Sequence, residues 1–286
     1  VNEETGDMAK AKSRPGKDLS FYFFDFDDNI MFLQTPMLIR DKKTKTVERV
    51  STAEFAKIRG EFGKPGRYED IEVFDETYSH FRDIAADSMK PNSVQHFVED
   101  VTKAIAGKPE AWQRPAWPLF VHACKEQRPV AIVTARAHSP ATLKAGVSVL
   151  KENGLIEREP HYLAIYPVGN ADVAGELTAS ITDAHERQKL AGLPDKTSAL
   201  KRIAIRHAVD SAIVQYGAEP EHRFGMSDDD PQNVDLIIKA MCDCKQKYPD
   251  KRFFVINTHE GEWVKLEIFP INFPVTKKVP ANEVVG

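Results

Sequence analysis

The sequence predicts an α/β protein in which a doubly wound, mostly parallel sheet carries a mainly helical segment inserted after its first strand. Three observations point there. Short, nearly continuous apolar runs recur along the chain, as in FYFFDF at 21–26 and VAIVT at 130–134. Such runs suit strands covered on both faces. Segments with apolar residues at three- and four-residue spacing separate them, and alternating strands and helices imply parallel pairing with right-handed crossovers. Several of the runs also end abruptly in polar or acidic residues, where ligands bind in folds of this kind.

The elements follow in order. Residues 1–20 are polar and read as a flexible tail without the apolar stretch of a secretory signal. Phe21–Phe26 reads as a buried central strand. Met31–Arg40 and Thr46–Val50 read as a hairpin around the turn DKKTKT, and Ser51 with Glu54 forms a capping box that opens a helix. From there to Gln127 the pattern is mainly helical, with segments at Glu72–Ala86, Ser93–Ala106 and Ala116–Gln127. The expected organisation is therefore a core of 21–30 and 128–286 with a cap-like insertion at 31–127.

Val130–Thr134 is the next strand. Ser139 then caps a helix with Pro140 in its first turn, and Gly154 closes it. Tyr162–Val168 reads as a strand, Val173–Leu193 as a further helical insertion and Thr197–Tyr216 as a helix. Phe224–Ser227 is a short strand, Pro231–Lys247 a helix and Arg252–Asn257 a strand. Trp263–Phe269 alternates like an edge strand.

The bulk composition excludes some functions. The chain has 286 residues and a net charge of −4, which argues against general nucleic-acid binding. No apolar run approaches the ~20 residues of a membrane span. The three cysteines Cys124, Cys242 and Cys244 form no disulfide framework and suit a reducing cytoplasm. Oligomeric state leaves no mark on the sequence.

Chemistry concentrates at the strand ends. The first strand ends DFDDN. Asp25 and Asp27 are close enough to serve one site, one attacking phosphorus and the other handling a proton. The strand at 130–134 ends VTAR; the Thr134 hydroxyl and backbone N–H can bind a phosphoryl oxygen, and Arg136 can reach an anion. His138, just beyond, reads as a loop residue. Lys196 stands at a helix start, where anions are already favoured, and is preferred over Lys201, which lies further into the helix. The strand at 224–227 runs into DDDP. Asp230 before Pro231 suits a helix N-cap, which leaves Asp228 and Asp229 for a hard oxygen site of the kind magnesium uses.

Together these features resemble the haloacid dehalogenase-like hydrolase superfamily. Its motifs are an apolar strand followed by DxD, a strand ending in Ser or Thr, a Lys at a helix start, and a strand ending in paired acids. Here they correspond, in the same order, to FYFFDFDDN, VAIVTAR, DKTSALKR and FGMSDDD. The resemblance covers 21–29 and 129–257. It implies a Rossmann-like core and a magnesium-dependent phosphatase. Asp25 would become phosphorylated, Asp27 would act as acid and then base, and Thr134 and Lys196 would hold phosphoryl oxygens. Asp25, the Asp27 carbonyl and Asp228 or Asp229 would bind Mg2+. The expected substrate is a small phosphomonoester, with the 31–127 insertion in the position of a cap. Asn29 stands where the family often has Thr, and the acids do not follow its commoner spaced form.

Other classes fit less well. A response-regulator-type phosphoacceptor would carry its paired acids in a different order. A phosphotransferase or phosphomutase would use the same groups. A non-catalytic protein keeping the fold would bind metal or phosphate without turnover.

Overall fold

The structure, a computed structural model, describes residues 17–261, 263–269 and 277–279. The described elements begin with β1 (Ser20–Phe24), then β2 (Met37–Asp41), β3 (Val47–Val50), α1 (Thr52–Ile58) and the two-residue β4 (Ile71–Glu72). Next come α2 (His96–Ile105), α3 (Pro109–Trp112), α4 (Trp117–Lys125), β5 (Pro129–Thr134), α5 (Pro140–Glu152) and β6 (His161–Pro167). Three helices follow, α6 (Ala171–Ala179), α7 (Ala184–Ala191) and α8 (Thr197–Tyr216). β7 (Arg223–Asp228), α9 (Pro231–Lys247), β8 (Arg252–Asn257), β9 (Val264–Ile268) and β10 (Lys277–Val279) complete the described elements.

The main sheet has seven strands in the order β10-β9-β8-β7-β1-β5-β6. β6, β5, β1, β7 and β8 run parallel. β9 and β10 add an antiparallel edge. The chain starts at β1, builds outward through β5 and β6, then returns to the other side of β1 for β7 and β8. This reversal of direction opens a crevice at the carboxyl ends of β1 and β7, where α/β sheets bind ligands. It is an α/β architecture compatible with a Rossmann-like core.

The apolar runs are continuous because both faces of the sheet are covered. Alternate residues point to opposite faces. Phe21, Phe23, Ala131 and Val133 pack with Ala204, Ala208 and Ile237 of α8 and α9. Tyr22, Phe24, Val130 and Ile132 pack on the other face with Phe97, Phe120 and Val147 of α2, α4 and α5. Burying each large side chain contributes about 1.5–3 kcal/mol. The FYFF run is thus the seam between two cores. No helix among the described residues is long and apolar enough to cross a membrane.

Several local expectations are met where the signal is local. Ser51 accepts from the Glu54 N–H at the start of α1, and Ser139 from the Thr142 N–H at the start of α5. Gly154 closes α5 at a φ of 71°, a left-handed conformation that glycine adopts without strain. Asp230 caps α9 through the Gln232 N–H, with Pro231 in the first turn. The expected helical stretch at 173–193 forms α6 and α7.

The segment 31–127 differs from expectation in its first half. Instead of one strand from Met31, residues before Met37 run irregularly, with the Phe32 N–H bonded to the Trp112 carbonyl at 2.8 Å. Glu72–Ala86 is not a helix. It holds β4, turns and a short 3₁₀ segment at Ser79–Phe81. β3, β2 and β4 form a separate three-stranded antiparallel sheet. Met37, Ile39, Val50, Phe55 and Ile58 make a small core of their own beneath it. The second half is helical as expected, but α2 and α4 pack on the main sheet rather than forming a separate layer. The expected tail is described only from residue 17, and Ser20 already pairs with Arg223; residues 1–16 lie outside the described residues.

Candidate active site

β1 delivers Asp25 to the crevice because the strand is pinned on both sides, with Phe24 opposite Ile132 of β5 and Ser227 of β7. The backbone N–H of Asp25 donates to the Ser227 carbonyl at 3.1 Å, extending that pairing one step. The chain then turns sharply. Asp28 takes a φ of 57°, a left-handed conformation that costs a non-glycine residue free energy and marks a loop held by its surroundings.

Asn29 supplies much of that hold. Fully buried, it donates to the Asp25 carbonyl at 3.0 Å, to the Ser227 carbonyl at 3.0 Å and to Ser227 Oγ at 2.9 Å. Its side-chain Oδ1 accepts from Thr258 Oγ1 at 2.9 Å. One amide thus ties the loop after β1 to the ends of β7 and β8. The sequence flags Asn29 only as a departure from a motif. Apart from Asp25, its side-chain partners Ser227 and Thr258 lie about two hundred residues away and leave no local signal.

Asp25 lies beside two further carboxylates. Single oxygens of Asp25, Asp228 and Asp229 all lie within 4.8 Å of one another. Lys201 Nζ donates to Asp25 Oδ1 at 2.9 Å and stands 3.6 Å from Asp228 Oδ2. Asp228 is oriented through its other oxygen, which accepts from the Asp230 N–H at 3.0 Å and from Asn233 Nδ2 at 3.2 Å. Its Oδ2 is buried without a hydrogen-bond partner. A buried, unpartnered carboxylate oxygen on an acid clustered with two others fits a divalent cation such as magnesium, which takes one or two carboxylates and completes its shell with water and phosphate oxygen. Three acids alone do not choose among hard cations.

The electrostatics of the cluster follow from crowding. Burial raises the Asp25 pKa well above the usual carboxylate range, Asp228 and Asp27 add to the rise, and Lys201 opposes it. Burial also raises Asp228, with Lys201 opposing. Asp229 is pushed up to about 7 by burial, with Asp228 and Asp28 contributing. Burial works against the charge on Lys201, but the Asp25 and Asp228 carboxylates outweigh it and raise its pKa. The amine is therefore firmly protonated, while burial of the three acids around it favours their neutral forms.

The expected lysine is corrected here. Lys196 is exposed at the N-cap of α8, and among the described residues the amine that reaches Asp25 belongs to Lys201. The reason is geometric. Helical side chains lean back toward the N-terminus, so a long side chain in the second turn reaches the crevice while the cap residue points to solvent. A signal was present in the sequence. Ala204, Ile205, Ala208 and Ala212 follow Lys201 at helical spacing and are all buried, so Lys201 is a lysine set on an apolar stripe.

Thr134 ends β5 as expected, buried, two residues beyond the Phe24–Ile132 pairing. Its hydroxyl accepts from the Arg136 N–H at 3.3 Å. The Asp27 carboxylate stands outside the group of three clustered acids. Both its oxygens accept from Arg136, at 2.8 Å from Nε and 2.6 Å from Nη2. Arg136, read from sequence as a possible anion ligand, is thus paired inside the protein. His138 is fully buried, and burial lowers its pKa to about 4, with the Arg136 charge adding to the effect. It is a neutral interior ring packed against Phe97.

A cleft of about 480 Å³ opens beside Asp229 and is lined by Asp28, Arg114, Thr258 and His259. It gives the cluster an approach from solvent. No family model, curated protein or solved structure matches the chain.

Proposed function

We propose that the protein is a magnesium-dependent phosphoryl hydrolase that cleaves a small phosphomonoester through a phosphorylated Asp25. The observation that carries this reading is the constellation of buried Asp25, Lys201 and Asp228 with half-buried Asp229 at the sheet's switch point, and the Asp27 carboxylate two residues along the same loop. Asp25 attacks phosphorus as the bond to the leaving oxygen breaks, and Asp27 delivers a proton to that oxygen. Water then attacks the phosphorylated Asp25, Asp27 takes back the water's proton, and free phosphate and the Asp25 carboxylate are restored. Lys201 favours the ionised form of Asp25 against its burial and lies where charge would gather on the phosphoryl oxygens. The Thr134 hydroxyl and the backbone after β5 hold one of those oxygens. Magnesium, held by Asp25 with Asp228 and Asp229, would supply further positive charge against the phosphoryl group.

The small module around β2, β3 and β4 acts as a cap in this reading. It leans on the end of β5, where the Phe81 carbonyl accepts from the Ala137 N–H at 2.8 Å. A wall on that side restricts the site to small substrates and limits water.

The test is phosphate release from p-nitrophenyl phosphate with and without Mg2+, beside an Asp25→Asn variant. Turnover that needs Mg2+ and vanishes in the variant supports the reading. Undiminished turnover in Asp25→Asn would sink it.

A further inference from the structure

Arg136 is a long cationic side chain that is only 1% exposed. Its guanidinium forms a two-pronged pair with Asp27, Nε to Oδ2 at 2.8 Å and Nη2 to Oδ1 at 2.6 Å. Among the described residues, the other contacts of its head group come from the segment between β1 and β5. Nη2 also donates to Thr35 Oγ1 at 2.8 Å, and Thr35 donates in turn to Asp100 Oδ2 at 2.6 Å. The Phe81 and Phe97 rings flank the guanidinium, with centroids 4.8 and 5.0 Å away. At its backbone, the Arg136 carbonyl accepts from the Gly169 N–H at 3.1 Å.

The Nε and Nη2 prongs are therefore committed to Asp27, while Nη1 is buried without a hydrogen-bond partner. Asp27 has the opposite character. Its side chain is 30% exposed and sits on a turn, so unaided it would sample several rotamers. A planar, bidentate guanidinium removes that freedom as a point charge cannot. The fork occupies one lone-pair direction on each carboxylate oxygen. The second direction on each stays free to carry a proton.

We infer that Arg136 is the positioning residue for Asp27, set in place by Thr35, Phe81 and Phe97, and that it aims the Asp27 carboxyl at the leaving oxygen. The inference rests on the phosphatase reading. Proton delivery to the leaving oxygen matters little when that oxygen leaves readily as an anion and greatly when it is strongly basic. Loss of aim must therefore appear as a change in leaving-group dependence. A purely structural role for Arg136 would lower all substrates alike.

The experiment measures kcat and KM with Mg2+ for p-nitrophenyl phosphate and unsubstituted phenyl phosphate, using the unaltered chain, Arg136→Met and Thr35→Val. Thr35→Val keeps the ion pair and removes the hydroxyl that accepts from Nη2 and donates to Asp100. It decides the matter if Arg136→Met fails to fold by circular dichroism. For Arg136→Met, kcat on phenyl phosphate should fall about 10²–10³-fold, with less than about tenfold loss on p-nitrophenyl phosphate and KM little changed. Thr35→Val should shift the same ratio in the same direction by a smaller factor. Equal losses on the two substrates, or no loss in a folded variant, overturn the inference and leave the phosphatase reading standing. If the unaltered chain hydrolyses neither substrate in a magnesium-dependent way, that reading fails and the inference falls with it.

Discussion

Replacing Lys201 with methionine keeps the length of the side chain and removes its charge from between Asp25 and Asp228. Two effects follow. The amine lies 2.9 Å from Asp25 and 3.6 Å from Asp228, in a buried setting. Removing one partner of a buried ion pair typically costs about 3–5 kcal/mol. Asp25 and Asp228 already favour protonation through burial, and without Lys201 both shift further in that direction. Taking up a proton offsets part of the loss, so an observed destabilisation of about 1–3 kcal/mol is expected from urea unfolding at neutral pH. The effect on turnover is larger. Losing one preorganised positive group at the reacting oxygens lowers kcat by about 10²–10³-fold, or about 3–4 kcal/mol. Lys196→Met is the control. That residue is exposed at the start of α8, so stability should stay within about 0.5 kcal/mol, and turnover should stay near that of the unaltered chain. Phosphate release at saturating Mg2+ measures both variants. Full activity in Lys201→Met beside a dead Lys196→Met would refute the assignment.

Three other perturbations probe the frame of the site. Asn29→Ala deletes one donor group that serves three acceptors and one acceptor that serves Thr258, all buried; a loss of about 3 kcal/mol in urea unfolding is expected, and a loss below about 0.5 kcal/mol would show that the amide does not hold the loop. In the metal-free protein the folded-state pKa of Asp229, about 7, lies above its unfolded value. Its contribution to stability is present below the ordinary carboxylate range and is lost as pH rises through about 7, whereas a cation binds the ionised form. The rise in Tm on adding Mg2+ should therefore be small near pH 5 and grow toward pH 8, and Asp228→Asn should abolish it; a rise that is largest at acid pH would contradict the metal assignment. Gly146→Ala would place a Cβ 2.4 Å from Phe97 Cε1, inside the α2–α5 contact. The gain in helix propensity does not cover the overpacking, so thermal unfolding should report a net loss of about 1–2 kcal/mol, and an unchanged Tm would show that Phe97 has room to move.

The parts of the fold that are legible in the sequence are those written in local patterns. Pro231–Lys247 is read to the residue because Asp230 and Pro231 signal its start directly. β1, β5, β7 and β8 are legible because strands covered on both faces become nearly continuous apolar runs. Glu72–Ala86 misleads for a physical reason. Phe74, Tyr78 and Phe81 sit at helical spacing, yet each packs outward to a different partner: Phe74 under Arg40, Tyr78 against Phe55 and Phe81 against Arg136. The Thr77 side chain then takes the Phe74 N–H at 2.9 Å, which favours a turn over helix. At the site, Asp25, Asp228 and Asp229 are legible because strand ends meet at one edge in a parallel sheet. The identity of the lysine turns on side-chain reach from a helix, and the Asp27–Arg136 pair joins residues 109 apart in sequence. The apolar stripe after Lys201 carries a local trace of the first, and the pair leaves none in any window of neighbouring residues.

The central claim is that Asp25 carries the phosphoryl group. The most direct measurement is acid quenching of the protein during turnover of p-nitrophenyl phosphate with Mg2+, followed by peptide mass analysis. The mass increment of one phosphoryl group should appear on the peptide containing Asp25, disappear on hydroxylamine treatment and be absent from Asp25→Asn. Steady turnover with no increment on that peptide, or with the increment on another residue, would contradict the account.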